Sequence, residues 1–308
     1  MKRYGFLLSA APLLLAVLLG VIGFPPSGAA EGEALPTAAA TSAPPVVLAD
    51  AQAGRWLYQS DALRVEITRK TDPSIPLIWY EADLLCSADA PLHCVLSAEQ
   101  KPATHLKKPD AIAQRDGLIY AQTDDFFGNR VGNKKLKPGV VIRGGRLLYD
   151  SVYRGGGNPF PPLDTLAIFP DGTLETFLAR EYTGSEYVAM GATDVISFGP
   201  ILIRDGQMDS RLLHGYTNRE PRSAIGMISP YHYLAVVVEG RHDGSAGCGL
   251  QWLASRMLEA GVTEALNLDG GQTAAMIFEG VQLNQTGKFL HRTSVRSVSG
   301  VLGLSDSP

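Results

Sequence analysis

Val140-Val141-Ile142-Arg143-Gly144-Gly145-Arg146-Leu147-Leu148-Tyr149 is the stretch on which the fold reading turns. Two apolar, β-rich runs flank a Gly-Gly pair, and a two-residue glycine loop supplies the backbone twist that closes a hairpin. Working outward, Leu166–Phe169 and Thr173–Phe177 flank Pro170-Asp171-Gly172 in the same way. Leu63–Thr68, Leu77–Tyr80, Leu118–Gln122, Ile196–Ile203 and Tyr233–Glu239 add further strand signals. Helical period is clear only over Gly249–Ala260, where Leu250, Leu253, Ala254, Met257 and Leu258 share one face and Gly261 follows as a stop. A shorter helix is predicted over Pro109–Gln114, and no internal repeat is present. Many hairpins and few helices imply an α+β fold, a largely antiparallel mixed sheet in a single domain.

Composition narrows the classes. A chain of 308 residues with net charge −4 and 45% hydrophobic residues is too apolar for a disordered protein. A pI of about 5.9 leaves no basic footprint for nucleic acid. Thirty-three glycines are a surplus, which means linker, tight turns, or backbone cleared for close approach. Lys2 and Arg3 precede an apolar run from Phe6 to about Phe24, followed by Pro25, Pro26 and small residues. That is the layout of an export signal over residues 1–30, either cleaved or kept as a membrane anchor on the extracytoplasmic side. Residues 31–50 are rich in Ala, Thr and Pro and read as a spacer, which leaves 51–308 for the folded domain. In an exported chain, Cys86 and Cys94, flanking a short Asp/Ala/Pro segment, are expected to pair as a disulfide.

Several segments carry chemistry. In Ala265-Leu266-Asn267-Leu268-Asp269-Gly270-Gly271 a short apolar strand ends in a carboxylate and two glycines. The same residues also fit an Asp-Gly hairpin turn into Thr273–Phe278. Val236–Val238 run into Glu239-Gly240-Arg241, and a small-residue loop with His242, Ser245 and Gly247 then opens the long helix. Free N–H groups at such a start suit an anion. Asp124-Asp125-Phe126-Phe127-Gly128 sets carboxylates beside aromatics, and adjacent strand residues point to opposite faces. Arg222 opens the segment Arg222–Gly226, and its rigid fork of donors suits phosphate. Cys248, near the helix start, lacks a general base fixed nearby in sequence, and of the histidines only His242 sits in a small-residue loop. Asp124, Asp125 and Asp269 are hard oxygen donors of the kind Ca²⁺ takes, but no organised ligand loop accompanies them. No metal or cofactor is therefore assigned.

In this order, the segments resemble the phosphodiester glycosidase family, which includes N-acetylglucosamine-1-phosphodiester α-N-acetylglucosaminidase and bacterial exopolysaccharide-biosynthesis-type proteins. The similar blocks are Asp124–Phe127, Phe198–Gly206, Arg222–Gly226, Glu239–Gly249, Ala265–Gly271 and Arg296-Ser297-Val298. Departures are Glu239 where the family usually has Asp, Cys248 where Met is usual, and Gln272–Met276 in place of a hydroxyl-rich run. The resemblance implies hydrolysis of a sugar-1-phosphodiester in a cell-envelope or extracellular glycan. It implies Asp269, Asp124 and Glu239 as catalytic carboxylates, with Arg222, Arg241, Arg296, Ser245, Gly247, Gly270 and Gly271 around the phosphate. The alternative function is a non-catalytic module that binds an anionic cell-wall polymer or exopolysaccharide. It would keep the arginines but would not need the carboxylates.

Overall fold

Gly144 and Gly145 close the expected hairpin. Both take positive φ (54° and 72°), and Arg143 faces Arg146 across the turn. The computed structural model describes residues 44–100, 105–125, 138–152, 162–288 and 291–306. The export signal, most of the spacer, and Phe126, Phe127 and Gly128 lie outside the described residues.

In chain order the first strands are β1 (Val46–Asp50), β2 (Arg55–Gln59), β3 (Leu63–Asp72), β4 (Leu77–Cys86) and β5 (His93–Leu96). Helix α1 (Pro109–Arg115) precedes β6 (Tyr120–Thr123), β7 (Gly139–Arg143), β8 (Arg146–Ser151), β9 (Asp164–Ile168) and β10 (Leu174–Phe177). Helix α2 (Gly184–Ala189) leads to β11 (Asp194–Phe198), β12 (Ile201–Arg204), β13 (Gln207–Met208), β14 (Arg222–Ser229) and β15 (His232–Val238). Helix α3 (Leu250–Glu259), β16 (Glu264–Leu268), β17 (Met276–Phe278), β18 (Val281–Gln282) and β19 (Gly300–Leu304) complete the order.

These strands make three sheets, and the ladders between them are antiparallel. The largest has the order β1-β2-β3-β4-β15-β14-β16-β12-β13, and the two five-stranded sheets are β10-β9-β11-β7-β8 and β18-β17-β6-β19-β5. Period-two alternation along β15 assigns its two faces. Tyr233, Ala235 and Val237 enter a core shared with both smaller sheets, while Leu234, Val236 and Val238 pack with α3. The outer faces of the smaller sheets are covered by α1, through Ile112, and α2, through Tyr187. The mostly antiparallel, helix-poor expectation therefore holds, organised as α3, large sheet, central core, small sheets and short helices.

Several expectations change. Cys86 and Cys94 are both free thiols and buried, because β4 belongs to the large sheet and β5 to the edge of a different one. Burial pushes the Cys86 thiol up to about 11 and raises that of Cys94 as well. The run Ile196–Ile203 is two strands in different sheets, separated at Gly199-Pro200. Strand β1 lies inside the stretch read as spacer: an outer-edge strand exposed along its whole length shows no alternation. Asp269-Gly270 makes no hairpin, since β17 pairs with β6 and β18 and not with β16.

Candidate active site

Three neighbouring strands of the large sheet deliver three of the expected residues to one end. Arg222 lies opposite Val238, and Ser223 lies opposite both Val237 and Leu268. Arg222, Glu239 and Asp269 therefore emerge together where β14 begins and β15 and β16 end. The fourth segment arrives from a smaller sheet. Asp269 N–H donates to the Asp124 carbonyl at 3.4 Å, and Thr123 Oγ1 donates to the Asp269 carbonyl at 3.3 Å. Arg241 joins through Glu220, whose Oε2 accepts from its Nε at 2.7 Å. Arg296 joins through its backbone N–H, which donates to Gln272 O at 2.7 Å.

The glycines explain how these loops stack. A Cβ at Gly270 would stand 2.6 Å from the Pro221 carbonyl oxygen, and one at Gly247 would stand 2.5 Å from the Glu220 carbonyl. One at Gly240 would meet Pro221 N at 2.9 Å, and Gly271, at φ +59°, gives its N–H to Pro221 O. Gly270, Gly247 and Gly240 thus admit neighbouring backbone on their Cβ side. Ser245 is likewise held by neighbouring backbone. It is fully buried, donates from Oγ to Glu239 O at 2.8 Å and accepts from Ile78 N–H at 3.0 Å, so its hydroxyl ties the loop to β4.

The carboxylates differ in setting. Asp124 and Asp125 are 1% and 5% exposed, and Arg143 Nη2 donates to Oδ2 of each at 2.8 Å. Arg143 is itself buried, and its Nη1 donates to the carbonyls of Ile142 and Val195. The cation between these two carboxylates is therefore a guanidinium. Among the described residues no group of three His, Cys, Asp or Glu side chains is placed to hold a metal. Asp194, beside the same arginine, has its pKa pushed up to about 6 by burial. Glu239 is buried with both oxygens engaged: Oε1 accepts from Gln285 N–H at 2.6 Å, and Oε2 lies 3.0 Å from His242 Nε2. Asp269 is half-buried, the most open carboxylate of the three expected.

Arg222 is half-buried and held by carbonyls, Nε donating to Cys248 O at 3.2 Å and Nη2 to Asn218 O at 2.9 Å. Burial lowers its pKa from the ordinary value. Cys248 is buried with its thiol raised to about 12, the opposite of an activated nucleophile. Sequence reasoning missed Arg143 and Glu220. The only local sign of Arg143 is a charge in an otherwise apolar strand, because its partners stand 18 and 19 residues away. Glu220 carries no local sign at all.

Comparison with known proteins places the chain in a family. The family model described as phosphodiester glycosidase matches residues 116–305. The SPbeta prophage-derived uncharacterized protein YomE of Bacillus subtilis (strain 168) is 26% identical over 164 residues, which are 52% of this chain and 25% of that protein. The chain therefore spans about a quarter of that relative's length. Among solved structures, the zebrafish N-acetylglucosamine-1-phosphodiester α-N-acetylglucosaminidase catalytic domain, auto-inhibited by its pro-peptide, superposes with a TM-score of 0.62 at 18% identity. That match covers 80% of this chain and 85% of the zebrafish one. A hypothetical protein from Synechocystis gives 0.52 at 14% identity over 86% and 64% of the two chains. With a family match that extends over the strands bearing Asp124, Arg222, Glu239 and Asp269, the chain belongs to the phosphodiester glycosidase family.

Proposed function

We propose that the chain hydrolyses the C1–O bond of a glycosyl phosphodiester, releasing a free sugar and a phosphate monoester. The observation that carries this reading is the meeting of Arg222, Arg241 and Asp269 at one end of β14, β15 and β16. The leaving group is an anion, so its stabilisation by fixed cations matters more than its protonation. Arg222 and Arg241, with Arg296 beside them, are assigned to the phosphate oxygens. Asp269, the most open carboxylate, is assigned to the C1 side, where an oxocarbenium-like transition state wants negative charge for attack or for activating water. Asp124 and Glu239, buried and held by Arg143, Gln285 and His242, fix the strand ends around it.

The substrate class is a cell-envelope or extracellular glycan, and the chain is proposed to reach it by export through residues 1–30, with the signal cleaved or kept as an anchor. Among the described residues no helix is long and apolar enough to cross a membrane. A panel of aryl glycosyl phosphodiesters tests the reading. The wild-type chain releases aryl phosphate, and Asp269→Asn and Arg222→Ala each lower kcat/KM by roughly 10²–10³-fold, the scale of losing one preorganised charge. Turnover unchanged in both variants refutes the site. Binding that persists in Asp269→Asn, with no release by the wild type, supports a non-catalytic glycan-binding module instead.

A further inference from the structure

A groove of about 490 Å³ lies between α3 and the β3–β4 hairpin, lined by Asp72, Trp79, Gln251, Trp252, Ser255 and Arg256, with Glu259 at its end. An indole pair lies beneath it, of which Trp79 is buried and Trp252 offers the open aromatic surface. Trp79 and Trp252 meet edge to face with centroids 5.2 Å apart at 83°. Trp79 is locked by its own N–H, which donates to Glu81 Oε1 at 2.7 Å. Trp252 is half-buried. Aromatic surface ringed by hydroxyl, amide and carboxylate groups matches a pyranose, which has apolar C–H faces and a belt of hydroxyls. Charge excludes the anionic alternative here. Asp72 and Glu259 outnumber Arg256, and Arg256 is already paired with Glu259.

The groove is also connected to the candidate site. Arg222 lies opposite Val238 and Val238 opposite Trp79, so the three share one row and one face of the sheet. At the ordinary strand spacing, Trp79 stands roughly 10 Å from Arg222. The other side of the groove is tethered to the same arginine, since Arg222 Nε holds Cys248 O just before α3 begins, and Trp252 is in its first turn.

We propose that the Trp79–Trp252 groove is an accessory subsite for a neutral sugar unit, which makes the substrate a glycan of several sugars with its phosphodiester at the arginine end. The binding half of this proposal stands on the groove, and the substrate half rests on the hydrolase reading. The test measures intrinsic tryptophan fluorescence as neutral tetramers of N-acetylglucosamine and of glucose are titrated into the full chain. Quenching in the millimolar range or tighter is expected, weakened about tenfold or more (~1.4 kcal/mol) by Trp252→Ala. Gln251→Ala, at an exposed helix position that packing does not constrain, keeps the test valid if Trp252→Ala fails to fold, and it is expected to weaken the same binding. On the hydrolase side, Trp252→Ala raises KM for oligosaccharide phosphodiesters and leaves the single-sugar aryl phosphodiester unchanged. No quenching by either tetramer, or equal affinity in both variants, overturns the subsite. Binding lost in the variants without turnover of any phosphodiester keeps the subsite and overturns the hydrolase reading.

Discussion

Removing Arg143 exposes how the smaller sheet is fastened to the candidate site. Its Nη2 bridges Asp124 and Asp125 at 2.8 Å each, and none of the three is more than 6% exposed. Arg143→Met keeps most of the volume and deletes the charge, taking from two buried carboxylates the guanidinium that bridges them. Breaking a buried pair in this way costs about 3–5 kcal/mol. Against a typical stability of about 5–15 kcal/mol that is a large fraction, and at ~2–4 °C per kcal/mol it lowers Tm by roughly 6–20 °C. The pH dependence has a definite sign. Without the guanidinium, burial favours the protonated acids and lifts their folded pKa above the unfolded value of about 4. The variant's deficit is therefore smallest at the acid end and grows as pH rises from there. Thermal unfolding followed by circular dichroism at acid and alkaline pH reads both effects, and adding Asp124→Asn with Asp125→Asn is expected to restore most of the loss. A single variant within about 1 kcal/mol of wild type, or a triple variant no more stable than the single one, refutes the reasoning.

Other outcomes follow from the same structure. Asp194, raised to about 6, binds its proton more tightly folded than unfolded, so it contributes stability below about pH 4 that is lost as pH rises to 6. Asp194→Asn removes that slope, about 3 kcal/mol over the window, and unchanged Tm-against-pH curves would contradict the assignment. Gly247→Ala, at φ +84° with its Cβ 2.5 Å from the Glu220 carbonyl, is expected to cost at least 1–3 kcal/mol and to displace Arg241 along with turnover. Gly144→Ala, at φ +54° with nothing within 4 Å, costs only about 1–2 kcal/mol. Equal losses in the two would show that the loop stacking is not what Gly247 serves.

What the sequence made legible was local. The Gly144-Gly145 hairpin and the amphipathic α3 are each encoded within about a dozen residues, and both stand where the pattern puts them. Helix α2 escaped because six residues are too few for a 3.6-residue period, although Thr183 and Glu186 form a capping box at its start. Glu239 and Asp269 were readable as strand ends, but their settings were not. One is spent on Gln285 and His242, while the other is half-open, and both depend on contacts from elsewhere in the chain. The glycine surplus alone is compatible with linker, tight turns or backbone cleared for close approach. At Gly240, Gly247 and Gly270 it is room for Pro221 and Glu220 or their neighbours, because spacing records that something comes close but not what.

The central claim is that this site breaks a bond at C1 of a sugar and not at phosphorus. Hydrolysis of a glycosyl phosphodiester in heavy-oxygen water, with the released phosphate monoester analysed by mass spectrometry, tests it most directly. Cleavage at C1 yields a phosphate product free of heavy oxygen in the wild-type chain, and Asp269→Asn yields no product above background. Heavy oxygen in the released phosphate would place the cleavage at P–O and contradict the account.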